Sequence, residues 1–144
     1  MKLSIDNNSL AEDFFTDARI LGIVAPVKDY RFCWLVNQSL GCDFRRNSDI
    51  EIQLAKKGRQ YFFSVYEYGV DLGSLVHYIY SNQFDGEYLL PEFRHLDFLW
   101  LLKGDEVEEA YISSLQKSIK DINGVQLITE IDKDKIKNKI HLVF

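Results

Sequence analysis

Glu92, His95 and Asp97 crowd one short stretch behind Pro91. A carboxylate beside an imidazole can fix its tautomer and raise its pKa, which is what general acid–base work needs. The stretch holds no Ser, Thr or Cys, so a nucleophile would have to come from elsewhere in the fold. The structural alternative is a Pro-Glu turn whose carboxylate caps loop N–H groups, with Asp97 fixing an arginine or a backbone turn. That alternative outweighs the catalytic one, because charges near a core are also arranged for structure. A second set, Asp29, Tyr30, Arg31 and Asn37, could present an arginine fork to a carboxylate or phosphate. Its plainer use is a helix cap plus an ion pair. Arg31 with Glu92 or Asp97 would clamp a helix to the Pro91 stretch.

Other chemistry finds little support. His77, His95 and His141 are scattered without metal spacing, and Cys33 and Cys42 have no second pair to complete a quartet. No glycine-rich phosphate loop is present. The expectation is therefore no metal and no cofactor. Tyr66, Tyr68, Tyr78 and Tyr80 could stack on bases or sugars, but core filling and a dimer interface use tyrosine more often. A net charge of −5 and a pI near 5.2 argue against nucleic acid and against an anionic membrane surface. Arg45-Arg46 and Lys56-Lys57-Gly58-Arg59 read as solvated loops. Two reduced thiols fit a cytoplasm. Met1 to Asn8 contains no apolar leader segment, and the longest apolar run, Phe98 to Leu102, is far too short to span a bilayer.

The elements that must position these residues are legible from periodicity and punctuation. Leu3 and Ile5 could begin a strand. Ser9 with Glu12 resembles a capping box, and 19–25 is rich in β-branched residues, which favours a strand. Asp29 to Leu40, closed by Gly41, predicts a helix covered on most faces. Ile50, Ile52 and Leu54 alternate with polar residues as a strand does. Gly58 turns the chain into an aromatic strand over 60–68, and 70–73 turns it into another over 74–82. Asp85-Gly86 then predicts a tight hairpin. Strand 60–68 would place Tyr61, Phe63 and Val65 with Val76, Tyr78 and Tyr80 on one face. Phe62, Tyr66 and Tyr68 would share the other with Leu75, His77 and Ile79. Val65 is expected opposite Tyr78. Both faces are apolar, so both are expected to be covered. His95 to Leu102 reads as the central strand. Asp105 opens a helix to about 122 with Val107, Tyr111, Leu115 and Ile119 on one side, and Val125 to Ile131 adds a strand. His141 to Phe144 is expected to tuck back into the sheet.

The stretch Leu90-Pro91-Glu92-Phe93-Arg94-His95-Leu96-Asp97-Phe98 resembles a bacterial family named for its motif, the IPExxxVDY family. Pro91, Glu92 and Asp97 match; Leu90, Leu96 and Phe98 are apolar or aromatic replacements. Phe98 lacks the hydroxyl that a tyrosine would bring. Asp29-Tyr30-Arg31, Cys33, Trp34, Asn37, Glu130-Ile131-Asp132 and Leu142-Val143-Phe144 also look like family positions. The resemblance implies one domain over the whole chain. It supplies no activity, substrate or cofactor.

Together these readings predict a single α+β domain over 1–144. Its antiparallel meander would have five to seven strands, with two main helices packed on it. Ten Phe, eight Tyr and two Trp, with no catalytic set, favour a non-enzymatic cytoplasmic module. It would meet a protein partner or a second copy through an aromatic sheet face. The rival is a small enzyme or ligand binder using Glu92, His95 and Asp97 with Arg31.

Overall fold

A computed structural model describes residues 7–50, 52–69, 75–104 and 107–144. The expected strand at Leu3 and Ile5, the turn at 70–73 and the helix start at Asp105 lie outside the described residues. The chain begins with α1 (Asn7–Phe15), β1 (Ala18–Val24) and α2 (Asp29–Leu40). The α2 helix ends at Gly41, whose φ of 67° lets its N–H return to the Asn37 carbonyl at 3.1 Å. A two-residue strand β2 (Arg45–Arg46) follows, then the hairpin β3 (Ile52–Lys56) and β4 (Arg59–Phe63). Next come β5 (Val65–Gly69), β6 (Val76–Ser81) and the small hairpin β7 (Gln83–Phe84) and β8 (Glu87–Tyr88). Asp85 and Gly86 both have positive φ, as the tight turn demands. After a 3₁₀ turn at Pro91–Phe93 come β9 (Phe98–Lys103), α3 (Glu109–Lys120) and β10 (Leu127–Ile131). Two 3₁₀ turns, Lys133–Lys135 and Lys139–Leu142, finish the chain.

The fold is α+β, with a six-stranded antiparallel sheet in the order β10-β1-β9-β6-β5-β2. Two features depart from simple succession of hairpins. The aromatic run 60–68 breaks at Ser64, so β4 pairs with β3 in a separate sheet while β5 joins the main one. β1 is inserted between β9 and β10, far from both in sequence. Alternation shows that a segment is a strand but carries no label for its partner. The β5–β6 register pairs Val65 with Tyr80, not with Tyr78. The displacement is even, so the β5 and β6 side chains keep their expected faces, whereas Phe62, on β4 in the separate sheet, is exposed.

The sheet is the middle of three layers. On one face α2 and α3 bury Phe32, Val36, Ile112 and Ile119 against Leu21, Ile79, Phe98 and Trp100. On the other, α1, the β3–β4 hairpin and the final turns pack Phe14, Phe63 and Leu142 against Tyr78, Tyr80, Leu99 and Leu101. Many of the aromatics are thus core, with stacked Phe32–Phe98 rings 4.4 Å apart, while Tyr30, Trp34, Phe62 and Phe84 are exposed. On α3 the buried stripe is Ile112, Ile119 and then Ile122, while Tyr111 is exposed. No helix among the described residues is long and apolar enough to cross a membrane.

Candidate functional site

The loop carrying Glu92, His95 and Asp97 is shaped by a residue outside it. β6 delivers Asn82 into the interior, where its side chain is fully buried. Its Oδ1 accepts the Leu90 N–H at 2.9 Å, and its Nδ2 donates to the carbonyls of Phe93 at 3.0 Å and Leu96 at 2.9 Å. Its backbone N–H reaches the Asp97 carbonyl, and its carbonyl accepts the Leu89 N–H. A buried amide must find such partners or lose the hydrogen bonds water gave it. Here it finds them in the backbone of residues 89–97. This explains why His95 does not open the central strand: the chain stays in turns through Leu96 and extends only from Phe98.

Asp97 and Glu92 each fix a second piece of backbone to this loop. Asp97 Oδ2 accepts the Ala25 N–H at 2.8 Å, and its own N–H donates to the Ile23 carbonyl at 2.8 Å. Those bonds hold the chain where it leaves β1. Glu92 Oε2 accepts the N–H groups of Lys137 at 2.8 Å and Asn138 at 2.9 Å, and Oε1 accepts Asn138 Nδ2 at 2.8 Å. Partial burial pushes this carboxyl up, but the hydrogen bonds from Asn138 and Lys137 outweigh it. The net shift is downward. Two further bonds strap the C-terminal segment down: His141 Nδ1–H donates to the Leu89 carbonyl at 2.7 Å, and the Tyr80 hydroxyl donates to the Leu142 carbonyl at 2.8 Å. Pro91 occupies the first position of the 3₁₀ turn, where a missing N–H costs nothing.

The remaining candidates do not converge on this loop. His95 is exposed, its ring 6.4 Å from that of Phe93 between centroids. Arg31 is exposed on α2 and lies over the Trp34 ring at 5.2 Å. Among the described residues it pairs with neither Glu92 nor Asp97, so the expected clamp from Arg31 is corrected. The reason is topological. α2 packs on one face of the sheet, while Leu89, Leu90 and Leu96 beside Glu92 belong to the core on the other. Asp97 does share a cleft with Asp29 at the start of α2, but its Oδ2 is taken by the Ala25 N–H. Asn37 is spent nearer home, exchanging hydrogen bonds with the Phe44 backbone at 2.8 and 3.2 Å and so closing the loop after α2. Asp29 follows the N-cap position, held by Lys28, and accepts from the Tyr30 N–H and the Tyr66 hydroxyl.

One open cleft, about 670 Å³, touches the motif. Asp97, Asp29, Arg46, Phe62 and Phe84 line it, and neither Glu92 nor His95 does. Acid and base are therefore not presented to one space. Among the described residues no group of His, Cys, Asp and Glu gathers in a way that could hold a metal ion. Cys33 and Cys42 are free; burial and the nearby Asp29 charge push the Cys33 thiol up.

The structure also reveals a polar chain, running from the interior to the surface, that periodicity did not single out. Trp100 Nε1–H donates to His77 Nδ1 at 3.0 Å, and His77 Nε2 lies 3.1 Å from the Tyr111 hydroxyl. With Nδ1 accepting, the ring proton sits on Nε2 and donates to Tyr111. Burial lowers the His77 pKa to about 4 and keeps the ring neutral. The available signal was a histidine at an apolar-face position of a strand. Asn82 offered none, since it reads only as the last residue of the strand over 74–82.

These features define an α+β domain whose polar cluster joins backbone to backbone. No family model, curated protein or solved structure matches the chain.

Proposed function

We propose that the protein is a non-enzymatic binding module acting through protein–protein contacts, with the outer face of α2 as its contact surface. The observation that carries this is the exposure of Tyr30 at 66% and Trp34 at 52%. The two lie four residues apart, on one ridge of the helix, with the Arg31 guanidinium over the Trp34 ring. Tyr, Trp and Arg are the side chains that dominate binding energy at interfaces. The sheet tyrosines are not available for this purpose, because both sheet faces are covered. Glu92 is taken up by Lys137 and Asn138, the Asp97 Oδ2 by the Ala25 N–H and Asn37 by the Phe44 backbone, which favours a module over acid–base work.

A protein partner suits the net charge of −5 better than nucleic acid does. Free thiols suit a cytoplasmic setting. Membership of the IPExxxVDY family belongs to the same proposal and rests on Pro91, Glu92, Asp97 and the positions quoted with them.

A photo-crosslinking residue in place of Trp34, in the producing cell, is expected to give one discrete adduct that is absent when it replaces Lys135. With that partner purified, Tyr30→Ser with Trp34→Ser is expected to weaken binding by about a hundredfold. The fold should be unmoved, since surface changes sit within about 0.5 kcal/mol. Equal adducts at both positions, or unchanged binding by the double variant, would overturn the proposal.

A further inference from the structure

The two outer strands of the main sheet are built differently. β2 is two residues long and both are arginine, Arg45 being held by Asp43. A short, charged edge discourages another strand from pairing with it. β10 has none of these devices. Its sequence Leu-Ile-Thr-Glu-Ile contains no Pro, Lys or Gly. It keeps regular register with β1 from Ile20–Ile131 to Val24–Leu127, without a bulge. Among the described residues no strand lies on its other side. Leu127 at this edge is 44% exposed. Glu130, the one charge in the strand, is drawn to Arg19 by bonds of 2.6 Å.

From these features we infer that β10 pairs with β10 of a second copy, antiparallel about a two-fold axis at Thr129, so that one sheet runs through both copies. Centring the axis on Thr129 pairs every residue of the strand: Leu127 with the partner's Ile131, Ile128 with the partner's Glu130, Thr129 with itself. A backbone ladder alone would accept any extended segment. Charge on α3 selects a second copy. α3 runs antiparallel to β10, as two contacts fix. Glu109 meets Arg19 at 2.9 Å near the Glu130 end, and Lys120 Nζ donates to the Gln126 carbonyl at 2.6 Å near the other. The helix is therefore acidic over one end of the strand and basic, at Lys117 and Lys120, over the opposite end. The two-fold reverses this order in the partner. Its Lys117 and Lys120 come alongside Glu109 and Glu130 of the first copy, and the two helix dipoles oppose. Ser113, Gln116 and Ile128 line an open groove of about 610 Å³ on the α3 side of the strand, which leaves space for this approach.

The test is sedimentation of the full chain, together with disulfide trapping. The wild type is expected to be a dimer that weakens with salt. Thr129→Lys puts two like charges opposite each other and is expected to raise the dimer Kd about tenfold or more, with unchanged circular dichroism. In a Cys42→Ser background, Thr129→Cys is expected to form an intermolecular disulfide on mild oxidation much faster than Lys135→Cys. A wild type that stays monomeric would overturn the inference, as would trapping at 129 no faster than at 135. A dimer that survives Thr129→Lys and dissolves with Trp34→Ser would put the interface on α2 and overturn it as well.

Discussion

Removing the Asn82 side chain would strand the N–H of Leu90 and the carbonyl of Leu96, and would leave the Phe93 carbonyl with the Leu96 N–H alone. Each buried group left without a partner costs about 1–3 kcal/mol. Asn82→Ala is therefore expected to destabilise the domain by about 3–5 kcal/mol in denaturant titration. Glu92 acts in a pH-dependent way. Its folded pKa lies below the ordinary 4.5, so near that pH the native state holds fewer protons than the unfolded chain. Its contribution is whole above about pH 4.5 and is lost as pH falls through the depressed value. Glu92→Gln is expected to flatten that acid limb and to cost about 1–2 kcal/mol at neutral pH, since an amide accepts through one oxygen only. His77 works in a higher window with the same sign. Its pKa drops from 6.5 unfolded to about 4 folded, so stability is full above 6.5 and is lost as pH falls toward 4. The slope of stability against pH there should approach about 1.4 kcal/mol per unit, and His77→Gln should remove it. Thermal melts from about pH 2 to pH 7 check the last two expectations together.

At the scale of elements, β1 carries a glycine for a reason of space. A Cβ on Gly22 would overlap the Leu96 side chain and come within 3.0 Å of Ile131 Cδ1. Both neighbours are core residues held on other elements. Gly22→Ala is expected to cost about 2 kcal/mol, read from the denaturation midpoint, and Leu96→Ala in the same chain should recover part of that loss. Elements with their own punctuation were legible in the sequence. The α2 helix had Gly41 to end it, and the hairpins had Gly58 and Asp85-Gly86. What the sequence could not show was choice among partners. Nothing local says that β1 sits between β9 and β10, or that Ser64 divides two sheets. The candidate site splits the same way. Pro91, Glu92 and Asp97 could be singled out, and a clamp could be named as their use. Their partners are N–H groups of Ala25, Lys137 and Asn138, and a backbone N–H leaves no mark in a sequence. Arg31 was paired wrongly because charge suggests attraction without showing which way a helix turns a side chain, and Arg31 lies over Trp34.

The whole molecule depends on its last residues more than their polar composition suggests. Leu142 is fully buried, and Phe144 packs on Phe14 and Tyr78 with ring centroids 5.2 and 4.8 Å apart. A chain ending at Ile131 would uncover the core beneath α1 and release Glu92. It is expected to lose cooperative unfolding and its near-ultraviolet dichroism while binding an apolar dye. A truncated chain melting as sharply as the intact one would contradict that view of the layer.

The place of β1 also bears on how the protein is made. Both hydrogen-bonding margins of this strand are filled by segments translated much later, Phe98–Lys103 and Leu127–Ile131. During synthesis Ile20, Leu21 and Ile23 therefore emerge from the ribosome with no sheet to join. They stay open to chaperones, or to the same strand on a neighbouring nascent chain, until those two segments have been made.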